Sequence, residues 1–160
     1  MSEQSLRSEL IASFKNRALV LWHLYATMRE ELGEARAMEI MQKAIYERGL
    51  AIGTPFRKVN PKDIPGIRDA FLKILPDGGS LFAPEVQRCD ATGVDIKFHR
   101  CPLKEAWQDA GVPPEDMAKL CQIAGRVDNG TFEGVGFNFS ADTWKPGRDG
   151  CCHLHIRPGT

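Results

Sequence analysis

The hydrophobic periodicity of this chain changes near residue 80. Before this point apolar side chains recur at spacings typical of an amphipathic helix, as Leu10, Phe14, Leu21 and Tyr25 do. Beyond it they alternate with polar residues, which is typical of a strand with one buried face. The sequence therefore predicts an α+β fold, in which a helical N-terminal half packs on an antiparallel β-sheet formed mainly by the C-terminal half.

Capping and turn residues set the expected element boundaries. The first helix should end at Gly33, and the second should run from 34 to about 50. A third should begin at Asn60, which can cap it, with Pro61 at the first helical position. Pro84 places the first strand at an edge of the sheet or at a bulge. The expected later elements are strands over 81–89, 94–100, 134–140 and 150–156, and helices over 102–110 and 113–124.

Length and composition exclude several classes of protein. A chain of 160 residues predicts a single domain over 1–160, helical to about 76 and sheet-rich over about 80–158. Lys and Arg together number 21, as do Asp and Glu, so no basic field favours nucleic acid. No apolar run suits a membrane span, and no export signal is recognisable. We expect a cytoplasmic protein with a small-molecule substrate and no nucleic-acid or membrane partner. The formation of homo-oligomers is possible.

Cysteine and histidine concentrate near the C-terminus. Cys151, His153 and His155 alternate along the last expected strand, so they should share one face, opposite Leu154 and Ile156. The strand over 94–100 repeats the pattern, with His99 and Cys101 opposite its apolar face. If both strands lie in one sheet, five Cys and His groups converge on one surface. The alternative is that the cysteines are small buried fillers.

Cys101 lies where this strand meets a helix. The positive end of that helix would lower the pKa of the thiol and favour a thiolate nucleophile. Cys121 lies in the middle of the next helix, where the pattern favours a core residue. Zinc is the rival chemistry, with Cys151, His153, His155 and Cys101 as ligands, although the chain lacks the close ligand spacings of structural zinc sites.

The C-terminal half resembles the L-2-amino-thiazoline-4-carboxylic acid hydrolase family. Four features carry the resemblance: an Arg-Cys-Pro-Leu strand end, a Leu-Cys pair in a following helix, an Asp soon after, and a closing Gly-x-x-x-Cys-x-His. They are Arg100-Cys101-Pro102-Leu103, Leu120-Cys121, Asp128 and the segment 147–153, and residues 44–53 also resemble the end of the second helix of that family.

This resemblance implies a soluble α+β enzyme that opens amidine-like C–N bonds with water. We expect no cofactor, with zinc as the possible exception. Matched positions are Cys101, Cys121, Asp128, Cys151 and His153. A thiolate, Cys101 or Cys151, would attack the amidine carbon, and Asp128 would orient a histidine or bind a cationic nitrogen.

Proton transfer would fall to His153 or His99, and Cys121 and His155 would contact the substrate. The alternatives are a small-ligand-binding or sensor domain without turnover, and a Cys/His metal-binding protein.

Overall fold

The computed structural model describes residues 2–160 and has the expected α+β architecture. Two long helices form the N-terminal part, and three further helices pack with them against the sheet. In chain order the helices are α1 (Glu3–Leu32), α2 (Glu34–Gly53), α3 (Ile64–Ile74), α4 (Pro102–Asp109) and α5 (Pro114–Glu133). Short 3-10 turns cover Thr54–Lys58 and Pro76–Gly79.

Four strands form one antiparallel sheet in the C-terminal half. They are β1 (Pro84–Asp90), β2 (Gly93–Phe98), β3 (Asn138–Asp142) and β4 (His153–Arg157), in the spatial order β1-β2-β4-β3. The prediction from Pro84 is confirmed twice: β1 is an edge strand, and its register shifts between Val86 and Arg88.

The two faces of the sheet differ in character. Val94, Ile96, Leu154 and Ile156 are at most 1 % exposed and pack into the core beneath the helices. Residues between them in sequence, such as Asp95, point to the opposite, polar face. Alternation along β2 and β4 therefore gives the sheet one apolar and one polar surface, as the sequence predicts for these strands.

The third helix begins later than predicted. Asp63, not Asn60, is its cap, because the Asp63 side chain accepts a 2.9 Å hydrogen bond from the backbone N–H of Gly66. Asn60 instead closes a local turn in which its side chain accepts from the N–H of Lys62. Pro61 belongs to that turn, and Pro65 takes the position near the helix start.

Helix α5 extends nine residues beyond the predicted end at Ala124, to Glu133. On composition alone, the glycines near its end favour a loop. In the structure they allow α5 to pack closely against α2. A Cβ atom on Gly130 would overlap the carbonyl oxygen of Tyr46 and lie 3.0 Å from the Cα of Gly49. Thr131 adds a 3.3 Å hydrogen bond from its hydroxyl to the carbonyl of Gly49 on α2. The two helix backbones touch, and only glycine fits at the crossing.

Within residues 2–160, no helix combines the length and the apolar character needed to cross a membrane.

The helix crossing yields a stability prediction. Gly130→Ala should lower the free energy of unfolding by about 2–3 kcal/mol, because the added methyl meets backbone atoms that cannot move independently. Gly125→Ala is the matched control in the same helix, since its Cβ would approach only the Thr143 side chain, at 3.1 Å. Urea denaturation of both variants measures the difference. Equal stabilities would show that the crossing has room for a side chain.

Candidate active site

The helices and the apolar face of the sheet line a partly open cavity of about 370 Å³. Its wall is mostly aliphatic and aromatic, with contributions from every helix, from β2 to β4 and from the loops beside them. Polar or reactive side chains are few. They are Arg17, Cys101, Cys121, Asp128, Thr131, Thr143, Cys151 and Cys152.

Four of the five cysteines meet in this cavity. Cys101, Cys121, Cys151 and Cys152 all line it, and all are free thiols. The sulfurs of Cys151 and Cys152 lie 3.1 Å apart. Cys89 stays outside, where its sulfur lies 3.4 Å from Nη1 of Arg68. The grouping of four thiols makes the cavity the most reactive region of the described chain.

The turn before β4 brings Cys151 and Cys152 inward. Gly150 has φ +72°, a conformation that favours glycine, and the chain reverses there. The N–H of Cys151 then donates to the carbonyl of Phe98, and the N–H of Phe98 donates to the carbonyl of Cys152, both at 2.9 Å. Lys104 fixes the same turn by donating to the carbonyl of Gly150 at 2.5 Å. This pairing holds both thiols beside the end of β2.

The Cys101 thiol has a lowered pKa. It caps the start of α4, and its pKa is lowered chiefly by a hydrogen bond from the Cys151 thiol. Burial opposes ionisation, but the backbone N–H groups of Lys104 and Leu103 at the helix start also lower the pKa. Hydrogen bonds with Cys101, Cys121 and Cys152 raise the pKa of Cys151, so that thiol stays protonated. The pair thus combines a thiol with a lowered pKa and its hydrogen-bond donor.

Asp128 carries the one carboxyl group in the lining of the cavity within residues 2–160. It lies on α5, and burial raises its pKa to about 7. Among the described residues it has no hydrogen-bond or ion-pair partner, although no buried polar side-chain atom of that part of the chain is left unsatisfied. Its oxygens therefore face the open space of the cavity, half protonated near neutral pH.

Arg17, an exposed residue that also lines the cavity, is the corresponding cation, and the sequence patterns above did not single it out. Its guanidinium lies 4.5 Å from the centre of the Phe14 ring, and no carboxylate of residues 2–160 pairs with it. Burial lowers its pKa, while the negative charge of Cys101 raises it. A signal was present in the sequence, because Arg17 falls on the apolar stripe of α1 between Phe14 and Leu21.

The histidines lie elsewhere, and the predicted convergence of five Cys and His groups on one face is wrong. His153 and His155 stand on the polar face of the sheet, with ring centres 6.5 Å apart, while Cys151 is buried on the other side. The reason is that β4 begins at His153, so strand alternation does not reach back across the turn to Cys151. The expected inward packing of Leu154 and Ile156 is confirmed.

Each histidine of this group has a local environment on the surface. His155 Nδ1 lies 2.8 Å from Asp95, which also pairs with Arg88 and Arg157 at 2.7 Å. Burial followed by the charge of Lys97 lowers the pKa of His153.

His99 is paired with Glu85 at 2.5 Å in an exposed position. None of these rings lines the cavity, and their predicted catalytic and binding roles stay predictions.

The zinc alternative had Cys101, Cys151, His153 and His155 as ligands. The sheet separates these residues, with both thiols in the cavity and both rings on the polar face. No set of three or more Cys, His, Asp or Glu side chains in residues 2–160 is placed to hold a metal ion. The arrangement therefore offers that ligand set no common centre.

The thiol chemistry can be tested by alkylation. Cys101 should react with iodoacetamide well below pH 8.5, the approximate pKa of a free thiol, because its thiolate is stabilised. Cys151 and Cys121 should react far more slowly, and Cys89 serves as the cysteine outside the cavity. Peptide mass spectrometry over a pH series gives the four rates. Faster labelling of Cys151 than of Cys101 would contradict the assignment.

Asp128 makes stability depend on pH in a defined direction. A carboxyl whose pKa rises from 3.8 to about 7 on folding binds its proton more tightly in the native state. Its contribution to stability therefore falls as pH rises between those values. The Asp128→Asn variant should have the same free energy of unfolding as the wild type near pH 4 and a higher one at pH 8. Chemical denaturation at both pH values checks this, and an equal effect of the substitution at each would refute it.

Comparison with known proteins agrees with the resemblance carried by the cysteine motifs. The family model described as L-2-amino-thiazoline-4-carboxylic acid hydrolase matches residues 13–156. No curated individual protein matches the chain. The matched segment spans nearly the whole chain and includes every reactive residue of the cavity. The chain therefore belongs to the L-2-amino-thiazoline-4-carboxylic acid hydrolase family.

Proposed function

We propose that this protein hydrolyses an amidine-type C–N bond of a small substrate, with Cys101 as the nucleophile. The observation that carries the proposal is the meeting of Cys101, Asp128 and Arg17 in one largely apolar cavity. These three groups are a nucleophile, a proton donor or acceptor with a pKa near 7, and a cation. Membership of the hydrolase family supports the same reaction class.

The charges of the cavity suit a substrate that carries both an amidine and a carboxylate. Arg17 would bind the carboxylate, since guanidinium groups bind carboxylates through paired hydrogen bonds. Asp128 in its protonated form would accept a hydrogen bond from the amidinium through its carbonyl oxygen. The apolar wall strengthens both contacts by excluding water. Binding in this orientation places the amidine carbon among the three reactive groups.

In the first half of the reaction, the Cys101 sulfur bonds to the amidine carbon. Asp128 in its protonated form then donates its proton to the departing nitrogen as the C–N bond breaks. The leaving group keeps the electron pair of that bond. The carbon is left bonded to the Cys101 sulfur as a covalent intermediate.

Water completes the turnover. Its oxygen bonds to the same carbon while the Asp128 carboxylate accepts one of its protons. The C–S bond to Cys101 then breaks and the sulfur takes the electron pair, while the second water proton passes to solvent. The products are the carbonyl compound, the thiolate and a reprotonated Asp128, so the site is restored.

Cys151 would support the nucleophile without reacting. Its thiol hydrogen bond to Cys101 favours the thiolate, and its contacts with Cys121 and Cys152 hold its sulfur in place. The mechanism requires reduced thiols, which is why we place the protein in the cytoplasm. Proton transfer is assigned to Asp128 because its carboxyl faces the cavity.

Turnover of 2-amino-2-thiazoline-4-carboxylate tests the proposal. Cys101→Ser should abolish release of the carbamoyl product, and Asp128→Asn should lower kcat about 100-fold or more, as expected for loss of a general acid–base group. Cys89→Ser is the matched control and should keep wild-type activity, since Cys89 lies outside the cavity. Chromatography of the reaction mixture measures the product.

Two outcomes would change the assignment. Full activity of Cys101→Ser together with loss in Cys151→Ser would make Cys151 the nucleophile. Binding of the acid by the wild type without any product would replace the hydrolase by a ligand-binding or sensor protein.

A further inference from the structure

One side of the cavity is an aromatic wall formed by Phe14, Phe71, Phe82 and Phe98. Neighbouring rings touch one another in a row. The ring centres of Phe14 and Phe82 lie 6.2 Å apart, those of Phe82 and Phe98 5.0 Å, and those of Phe71 and Phe98 6.3 Å. They come from α1, α3, β2 and the segment before β1, so distant parts of the chain build one continuous surface. Such offset and edge contacts are favourable among rings and leave their outer surfaces for a ligand.

The cavity is larger than a single-ring amino acid requires. At about 30 Å³ of liquid volume per water, 370 Å³ equals about twelve water molecules, while a thiazoline ring with its carboxylate fills roughly the space of five. The volume lies within the about 300–1,000 Å³ of pockets that enclose drug-sized ligands. A substrate of the smallest size would leave much of the cavity unfilled.

The unfilled part would lie against apolar atoms. The ionisable side chains of the lining are Arg17, Asp128 and four cysteines, and the phenyl rings of the aromatic wall carry no hydrogen-bonding group. Water held there would lack polar partners, which makes an apolar occupant the favourable one.

From this size and from the aromatic wall, we propose that the substrate carries an aromatic or branched aliphatic group beside its amidine and carboxylate. The group packs against the aromatic wall while the charged end meets Arg17 and Asp128. The placement of the charged end rests on the proposed function. The natural substrate class is then a hydrophobically substituted cyclic amidine acid.

Two probes that differ in one phenyl group test this inference. They are 2-amino-2-thiazoline-4-carboxylate and its 5-phenyl derivative, titrated calorimetrically into Cys101→Ser protein so that no turnover intervenes. The phenyl compound should bind about tenfold more tightly or better, because a buried aromatic ring gains the free energy of leaving water. Equal or weaker binding of the phenyl compound would overturn the inference.

A wall substitution locates the effect. Phe82→Ala, made in the same Cys101→Ser background, should lower the affinity for the phenyl compound about tenfold and leave that for the parent compound within twofold. Retained parent binding also shows that the variant is folded. Phe139→Ala is the matched control, a half-buried ring that stacks on Phe132 and does not line the cavity. It should change neither affinity, and an equal effect of the two substitutions would refute the wall as the binding surface.

Turnover by the wild type separates this inference from the hydrolase proposal. Hydrolysis of the parent compound, with weaker binding of the phenyl compound, keeps the hydrolase and overturns the hydrophobic substituent. Tighter binding of the phenyl compound, with neither compound hydrolysed, keeps the hydrophobic substituent and overturns the hydrolase. Absence of binding by both compounds overturns both proposals.

Discussion

The backbone contact between α2 and α5 determines where the reactive groups lie. Gly49 and Gly130 let the two helices approach until main-chain atoms touch, and this fixes the rotation of α5 about its own axis. The opposite face of α5 then presents Cys121 and Asp128 to the cavity. A helix held farther out would turn or shift these side chains. The reactivity of the site thus depends on residues that have no functional group.

The sheet acts as a partition between two kinds of chemistry. On its inner side a neighbouring thiol and backbone N–H groups lower the pKa of Cys101, in a space with few ionisable groups other than cysteines. On its outer side Asp95 gathers Arg88, Arg157 and His155 into an ion-pair cluster. Burial alone would raise the pKa of Asp95, but hydrogen bonds from these partners hold it well below its usual range. His155 is therefore part of a solvent-side network.

Much of this fold follows from local sequence patterns. Helical spacing places α1 and α2, with Gly33 between them, and alternation correctly orients Val94, Ile96, Leu154 and Ile156. Local patterns fail where contacts with a distant segment of the chain determine the structure. The glycines of α5 resemble a loop until α2 is packed on them.

The candidate site is only partly predictable for the same reason. Membership of the family and the importance of Cys101, Cys121, Cys151 and Asp128 can be read from motifs, since their spacing is local. Cys151 faces away from His153 because the chain reverses at Gly150 and pairs with Phe98. The hydrophobic periodicity of a strand does not reveal such a reversal. Arg17 enters the site only through the packing of α1 over the cavity.

The edges of the sheet bear on how the protein behaves at high concentration. An edge strand exposes unpaired backbone groups that invite another chain to add to the sheet. Here β1 begins with Pro84, has an irregular register after Val86 and carries the ion pair of Arg88 and Asp90, while β3 at the other edge has only five residues. Each of these features discourages strand addition. The sheet edges therefore offer little for another chain to pair with, which disfavours aggregation through the sheet.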